Sequence, residues 1–343
     1  MSRRFIAILV VAVCCIAGAA AYVRHAVRRA ALPAGAPAAA TTRLIEPGHA
    51  LVEGPTVIFR HSAPDQYDGA LSAARLDDLG SVSLLPALRC ERVNLAGGRG
   101  GCLAASRGMF TTYRAVLFDN TGRVRGELPL GGIPSRTQVS PDGRYAATTV
   151  FVTGHSYAGG EFSTRTSLID LENARWLVED LETLPVQRDG RVISAPDFNL
   201  WGVTFGKDGK TFYATLGTGG ERLLVRGDLA TRSLEVVGDR VECPSLSPDG
   251  RRVAFKHRTP DSSGRATWRL WVLDLRSGRR HPLAETRDVD DQAEWLDDST
   301  VLYALPGSPE SGALMDQWSV PADGGGTPQL FLPSASSAGV AGG

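Results

Sequence analysis

The segment Gly154-His155-Ser156-Tyr157-Ala158 has the residue types and spacing of a serine nucleophile turn. Such a serine needs a strand before it and a helix after it, so that its hydroxyl is exposed on a strained turn. A strand-like run precedes the segment, but glycines and β-branched threonines follow it, and these are poor helix formers. We therefore interpret His155, Ser156 and Tyr157 as part of a long loop, with catalysis by Ser156 as the weaker hypothesis.

Acid and base partners for such a serine occur later in the chain, at Asp249 or Asp274 and at His257 or His281. A hydrolase needs its nucleophile, base and acid at one place. These four residues fall in repeated turns and strands, so the pattern does not predict one converging site.

The acidic string from Arg287 to Asp298 supplies oxygen ligands of the kind that calcium prefers. Its spacing is not that of an EF-hand loop, which needs a glycine at the sharp turn and a closing glutamate. The histidines have no cysteine partner at zinc-site spacing, and the glycines of AGGRGG are not followed by a phosphate-binding helix. No cofactor is predicted, and calcium is kept as a hypothesis.

The charge balance argues against a nucleic-acid partner. Lys plus Arg and Asp plus Glu each number 37, so the formal net charge is zero. A protein that binds nucleic acid through its phosphates carries a basic patch and an excess of positive charge.

A repeated turn shows how these residues are positioned. The string SPDGR occurs at Ser140 and again at Ser247, and looser copies begin at Gly206 and Leu296. Proline, aspartate and glycine in this order are typical of a tight turn between strands. The structural turn residues are predicted to be Asp142, Gly143, Asp208, Gly209, Asp249, Gly250 and Asp298.

Six units of four short apolar runs each fit between about residue 50 and about residue 335, roughly 48 residues to a unit, which matches the length of a β-propeller blade. Such blades bury their faces by stacking around an axis. The sequence therefore predicts an all-β protein, a six-bladed β-propeller, with five or seven blades as alternatives.

The SPDGR turn, the small apolar strand after it and a later Asp-Leu strand together resemble the WD40-like repeat of TolB-type propellers. The strings CERVNLAGGRGGCL, GHSYAGGEFSTRT and DQAEWLDDSTVLYALP are most similar to bacterial TolB-like translocation proteins. The Tol-Pal member of that family carries an additional α/β domain before its propeller. This chain has a tether-like segment there, so the resemblance implies the fold and puts a Tol-Pal role in doubt.

In a propeller the chain enters the innermost strand of each blade at the rim of the central channel. Side chains at these entry points are predicted to approach one mouth of the channel, where they hold a cation, a small ligand or a partner's tail, or else pair with one another. The candidates are Asn199, Glu242, Asp291, Gln292 and Glu294, joined by Arg92 and Arg136.

Cys90 and Cys102 flank the turn-rich string AGGRGG, so a hairpin would place them opposite each other. A disulfide is predicted if the compartment is oxidising. The alternative is a pair of buried thiols. Cys243 is predicted to be a buried, unpaired cysteine.

The chain ends are predicted to lie outside the propeller. Residues 1–4 form a cytoplasmic N-terminus and 5–23 an uncharged helix of about 28 Å, which is close to the hydrocarbon core of a bilayer. This helix is a membrane anchor or a cleaved signal. Residues 24–49 read as a flexible tether, 50–334 as the propeller and 335–343 as a disordered tail.

These observations predict a non-catalytic extracytoplasmic propeller, membrane-anchored or secreted and monomeric, that binds a protein or a cell-envelope component. One alternative is an enzyme that uses the propeller channel, either a serine hydrolase or a metal-dependent lyase. Another is a ligand sensor tethered to the membrane.

Overall fold

The computed structural model describes residues 41–152, 163–260, 264–308 and 312–342, which form six β-sheets arranged as the blades of a propeller. The first blade begins with β1 (Thr41–Leu44), β2 (Thr56–His61), β3 (Ala70–Arg75) and β4 (Asp78–Arg89). The second contains β5 (Arg92–Ala96), β6 (Arg99–Ser106), β7 (Thr112–Asp119) and β8 (Val124–Leu130). The third contains β9 (Ile133–Val139), β10 (Tyr145–Val152), β11 (Ser163–Asp170) and β12 (Arg175–Val178).

The fourth blade is widened by a short hairpin at its outer edge. After a 3-10 turn at Leu181–Thr183, it contains β13 (Val186–Arg188), β14 (Arg191–Ile193), β15 (Asn199–Phe205), β16 (Thr211–Thr218), β17 (Glu221–Asp228) and β18 (Ser233–Asp239). The fifth contains β19 (Glu242–Leu246), β20 (Arg252–Pro260), β21 (Ala266–Asp274) and β22 (Arg280–Pro282). The sixth contains β23 (Glu294–Asp297), β24 (Thr300–Pro306), β25 (Met315–Pro321) and β26 (Gln329–Leu332), and β27 (Ala335–Ala341) follows it. The predicted six-bladed, all-β fold is confirmed.

The innermost strands are β5, β9, β15, β19, β23 and β27, and each contacts the next around the ring. We call the face where these strands begin the entry face, and the face where they end the turn face. Because the strands of a blade are antiparallel, the hairpins between second and third strands also lie on the entry face. The core lies between the blades, where apolar side chains of neighbouring sheets pack together.

The repeated turns lie where predicted, between the first and second strands of successive blades. Asp142 accepts hydrogen bonds from the Ser140 hydroxyl (2.6 Å) and the Arg144 N–H (3.1 Å), and Gly143 adopts a φ of 69°. Asp208 and Asp249 accept equivalent backbone bonds in the next two blades. In these three copies the aspartate organises the turn.

The fourth copy differs from its prediction. In the sixth blade Asp297 organises the turn by accepting from the Ser299 N–H at 2.7 Å. Asp298, which was expected at that corner, instead accepts a hydrogen bond from the Asp249 N–H of the fifth blade. The looser sequence LDDST lacks the glycine that follows the aspartate in the other three copies, and the aspartate that organises the turn lies one position earlier.

The prediction of a disordered tail at 335–343 was wrong for the described residues 335–342. Ala335–Ala341 forms β27, which is the innermost strand of the first blade and pairs antiparallel with β2, with Thr56 opposite Ala341. Ala335 and Ala341 are 0% and 3% exposed. Small residues fit where inner strands crowd together near the axis, although the same composition in isolation resembles a linker.

The predicted boundary between tether and propeller at residue 49 was also displaced. Thr41–Leu44 forms β1, which pairs in parallel with the outer edge of β4, and Ile45 behind it is buried. Residues 1–40, including the predicted span at 5–23, lie outside the described residues. No helix in the described part of the chain is long and apolar enough to cross a bilayer.

The predicted disulfide between Cys90 and Cys102 is present, with 5.2 Å between the two Cα atoms, and the alternative of two thiols is thereby excluded. The cysteines are not directly opposite each other. The hairpin turns at Gly97 and Gly98, so Cys102 pairs with Val93, and Cys90 precedes the strand. Cys243 is buried and free, as expected.

Candidate functional site

A small polar cavity opens at the entry face of the central channel, and we call it the channel mouth. It has a volume of about 30 Å³, enough for one or two waters or the tip of one side chain. The polar residues that define it are Arg92, Asn94, Arg136, Thr137, Gln138, Asp291, Gln292, Glu294, Gln317 and Ser337. They come from four blades, so the site exists only in the closed propeller.

Three of the five candidate ligand residues meet at this mouth. Asp291, Gln292 and Glu294 line the cavity, and Arg92 and Arg136 line it with them. Gln292 donates to the carbonyls of Val203 (3.2 Å) and Pro244 (3.0 Å), which fixes the segment that enters the sixth blade. The sequence therefore located this cluster.

The other two candidates lie outside the cavity. Asn199 is buried between the third and fourth blades, where its Oδ1 accepts from the Thr164 N–H at 3.1 Å. Glu242 precedes a β-bulge in β19 at which Cys243 has a φ of 48°. A bulge re-aims the side chains around it, and Glu242 accepts a hydrogen bond from the Trp268 indole at 3.3 Å instead of lining the channel mouth.

Two arginines dominate the electrostatics of the mouth. The Arg92 guanidinium is 3.4 Å from the Asp291 carboxylate. Burial lowers the pKa of Arg92 to about 10, and the positive charge of Arg136 adds to this effect. Arg136 donates to the carbonyls of Ser135 (2.8 Å) and Asp290 (3.4 Å). Both guanidiniums are thus fixed at the cavity, Arg92 by a carboxylate and Arg136 by backbone carbonyls that do not neutralise its charge.

Two buried polar atoms at the mouth have no hydrogen-bond partner within the described residues: Nε of Arg136 and Oε1 of Gln317. Gln317 is 2% exposed. It lies on β25, the third strand of its blade, so the entry-segment pattern could not have found it. Arg136 Nε is a donor and Gln317 Oε1 is an acceptor. Leaving a buried donor or acceptor without a hydrogen bond costs about 1 to 3 kcal/mol.

Glu294 is the acid of the mouth that ionises nearest to neutral pH. Burial raises its pKa to about 7, and the hydrogen bond from the Gln138 amide, at 3.3 Å, opposes the shift. The charge of the mouth therefore changes between mildly acidic and mildly alkaline conditions.

The acidic string does not form a metal cluster. Asp288 accepts from the Trp268 N–H at 2.7 Å, Asp290 binds Lys256, and Asp291 accepts from the Ala304 N–H at 3.1 Å. In the four described ranges no three His, Cys, Asp or Glu side chains are grouped to hold a metal ion.

The His155, Ser156 and Tyr157 segment lies outside the described residues. It joins β10 to β11, the second and third strands of the third blade, as predicted. The four suggested partners are all on the fifth blade. All four have structural contacts: Asp249 and Asp274 organise turns, the His257 ring packs on Trp271, and Nε2 of His281 is 2.9 Å from the Ala322 carbonyl.

Comparison with known proteins shows which solved structures have a similar fold. No protein-family profile matches this sequence, and no curated protein sequence matches it. TolB from Acinetobacter baumannii is similar in structure, with 18% identity and a TM-score of 0.51 over 84% of this chain and 66% of that one. The chain thus spans slightly less than two thirds of that protein.

A chain from a nidogen–laminin complex is also similar, with 10% identity and a TM-score of 0.53 over 84% of this chain and 98% of that one. At these identities the likeness concerns the fold. The TolB-like resemblance of the sequence is confirmed at that level.

Proposed function

We propose that this chain is a non-catalytic extracytoplasmic propeller that binds a protein or cell-envelope component at the channel mouth. The observation that carries the proposal is the pair of buried polar atoms, Arg136 Nε and Gln317 Oε1, that lack partners among the described residues of a cavity accessible from the entry face. A partner group that offers an acceptor to Arg136 and a donor to Gln317 would hydrogen-bond to both atoms.

The size and chemistry of the cavity define the group that it takes. About 30 Å³ admits the tip of a side chain or one backbone amide, but not a whole ligand. Arg136 requires an acceptor and Gln317 requires a donor. An amide group carries both, so a peptide segment of a partner protein fits better than a simple ion.

Binding is favoured over catalysis because the acids of the mouth already have partners. Asp291 interacts with Arg92 and with the Ala304 N–H, and Glu294 accepts from Gln138. These contacts orient the two carboxylates within the mouth. The serine-hydrolase, lyase and membrane-sensor alternatives gain no comparable observation from the described residues.

An extracytoplasmic location is supported by the disulfide between Cys90 and Cys102, because disulfides persist in oxidising compartments. The direction of β1 fits attachment to a membrane. It runs parallel to β4, from the turn face toward the entry face, so Thr41 is the end nearer the turn face. A preceding anchor would therefore join on that side and leave the channel mouth accessible.

The proposal is tested by affinity capture from envelope extracts of the source cells, with quantification by mass spectrometry. We expect a partner that is retained by the wild-type protein and depleted at least about tenfold with Arg136→Ala. The matched control is Arg144→Ala, which removes an exposed arginine on the turn face. Circular dichroism confirms that both variants are folded, and equal capture by all three proteins would refute the proposal.

A further inference from the structure

The hairpin between β6 and β7 carries two large apolar side chains at its tip. The ladder of this hairpin ends at the pair Ser106 and Thr112, and the residues between them form the loop on the entry face. Met109 is 94% exposed and Phe110 is 79% exposed. Turns are usually built from glycine, proline, asparagine, aspartate and serine, so the requirements of a turn do not explain two adjacent apolar residues here.

A second exposed apolar pair lies on the same face of the next blade. Ile133 begins β9 and lies directly opposite Phe151 of β10, and the two residues are 56% and 40% exposed. The strand β6 contacts both β9 and β10, so the two pairs belong to adjoining edges of the second and third blades. We call the four residues Met109, Phe110, Ile133 and Phe151 the apolar rim. Single exposed hydrophobic residues are normal, whereas a group of them on one face is typical of an interaction surface.

The apolar rim borders the channel mouth. Ile133 and Arg136 are on the same strand, three residues and therefore about 10 Å apart. The β6–β7 loop is tied to the mouth as well, because Arg107 pairs with Glu91 at 2.5 Å and Glu91 immediately precedes Arg92. A standard protein interface covers about 800 Å² on each partner, which corresponds to a disc of roughly 16 Å radius. A protein of that footprint centred on the mouth therefore reaches the rim.

The β6–β7 hairpin is stabilised by contacts at its base. Arg114 donates to the Ser106 hydroxyl at 2.5 Å, and Cys102 of β6 is bonded to Cys90. Together with the pair between Arg107 and Glu91, these contacts position the loop. An apolar tip on a positioned loop loses less conformational entropy on binding than a tip on a loose one.

We propose that the apolar rim and the channel mouth form one interface, in which Met109 and Phe110 insert into an apolar pocket of a partner protein. This inference rests on the proposed function of the channel mouth. The four rim side chains offer no strong hydrogen-bonding group to a polysaccharide or an anion, and a bilayer has no backbone amide to place in the mouth. A protein that presents a peptide segment beside an apolar pocket matches both parts. Aromatic residues and methionine are enriched in such interfaces.

The first test uses the full-length protein, in neutral detergent, as bait for the envelope protein that Arg136→Ala fails to retain. The double variant Met109→Ser/Phe110→Ser is expected to deplete that same protein at least about tenfold, because buried aromatic anchors are typical interface hot spots. Val124→Ser is the matched control and should capture like the wild type. Val124 is 49% exposed on the same blade, but it begins β8 on the turn face. Circular dichroism confirms that the variants are folded.

Photocrosslinking in the source cells identifies what covers the tip. p-Benzoylphenylalanine in place of Phe110 should form an adduct with the protein whose capture depends on Arg136, and the same probe in place of Val124 should not. An adduct at position 110 with lipid, or with a second copy of this chain, would overturn the inference.

The two proposals can fail separately. If Arg136→Ala loses a partner that Met109→Ser/Phe110→Ser still captures like the wild type, the channel mouth binds that partner and the inference about the rim is wrong. If Arg136→Ala retains every protein that the wild type retains, the proposed function is wrong and the shared interface is refuted with it.

Discussion

The carboxylate of Asp298 accepts a hydrogen bond of 2.7 Å from the backbone N–H of Asp249, so the turn of the sixth blade is fastened to that of the fifth. Between the third and fourth blades, the Asp142 carboxylate packs so closely on Gly209 that a side chain at that glycine would collide with it. Asp142 thus both shapes its own turn and contacts the next blade, whereas Asp298 contacts the neighbouring blade and Asp297 shapes the turn.

Replacing Asp298 with alanine is expected to lower the free energy of unfolding by about 1 kcal/mol, because it removes a charge-assisted hydrogen bond between blades. The turn itself should persist, since Asp297 organises it. Urea denaturation measures the change. Asp78→Ala, at an exposed aspartate on the first blade, is the control and should differ little from the wild type. An unchanged midpoint for Asp298→Ala would show that the contact adds no stability.

Ending the chain after Leu332 is expected to abolish cooperative folding, because β2 loses its inner partner and the ring loses the strand between β5 and β23. Thermal unfolding followed by circular dichroism measures this effect. A synthetic peptide of residues 333–343, added to the shortened chain, should restore part of the transition, whereas a peptide with the same residues in scrambled order should not. A shortened chain that unfolds like the wild type would contradict the assignment of β27.

The stability of the propeller should fall as pH rises from about 4.3, the usual pKa of an unfolded glutamate, to about 7, the pKa of Glu294 in the folded protein. In this range the folded protein retains a proton that the unfolded chain has released, so raising the pH favours unfolding. Above about 7 this contribution is constant.

The change is measured by denaturant unfolding at several pH values. Glu294→Gln should flatten the profile in this range while keeping the amide of Gln138 close to a polar partner. Glu127→Gln, at a half-exposed glutamate, should leave the profile as in the wild type. If wild type and Glu294→Gln have parallel profiles, the proton is not held by Glu294.

We expect no stoichiometric labelling of the protein by a fluorophosphonate probe, because the strand β11 follows the Ser156 segment where a nucleophile turn requires a helix. Intact-mass spectrometry measures the label. Ser156→Ala is the control for labelling at other serines. A full equivalent of label on the wild type that disappears in Ser156→Ala would establish the hydrolase alternative.

The local features of the fold could be predicted because their causes are local. Each SPDGR turn depends on a few adjacent residues, and its recurrence gave the blade spacing. The strand β27 could not be recognised in the same way. Its small residues are explained only by pairing with β2, which is nearly the whole length of the propeller away in sequence.

Part of the candidate site could be predicted because its residues are neighbours in the sequence. Asp291, Gln292 and Glu294 lie close together in sequence at one blade entry, so their common position followed from the topology. Glu242 was misplaced because it precedes a bulge at Cys243, whose left-handed backbone lies directly against Gly202 of the neighbouring blade, and no short pattern reveals that contact. Gln317 reaches the mouth from a third strand, outside every entry segment.

The placement of β27 has a consequence for biosynthesis. A ribosome makes this strand after every other described strand, so the nascent chain lacks the inner edge of its first blade while the remaining blades emerge. The exposed edge of β2 must stay unpaired, or be shielded by a chaperone, until translation has passed residue 341. Prematurely terminated products therefore retain an open edge that quality-control proteases can recognise.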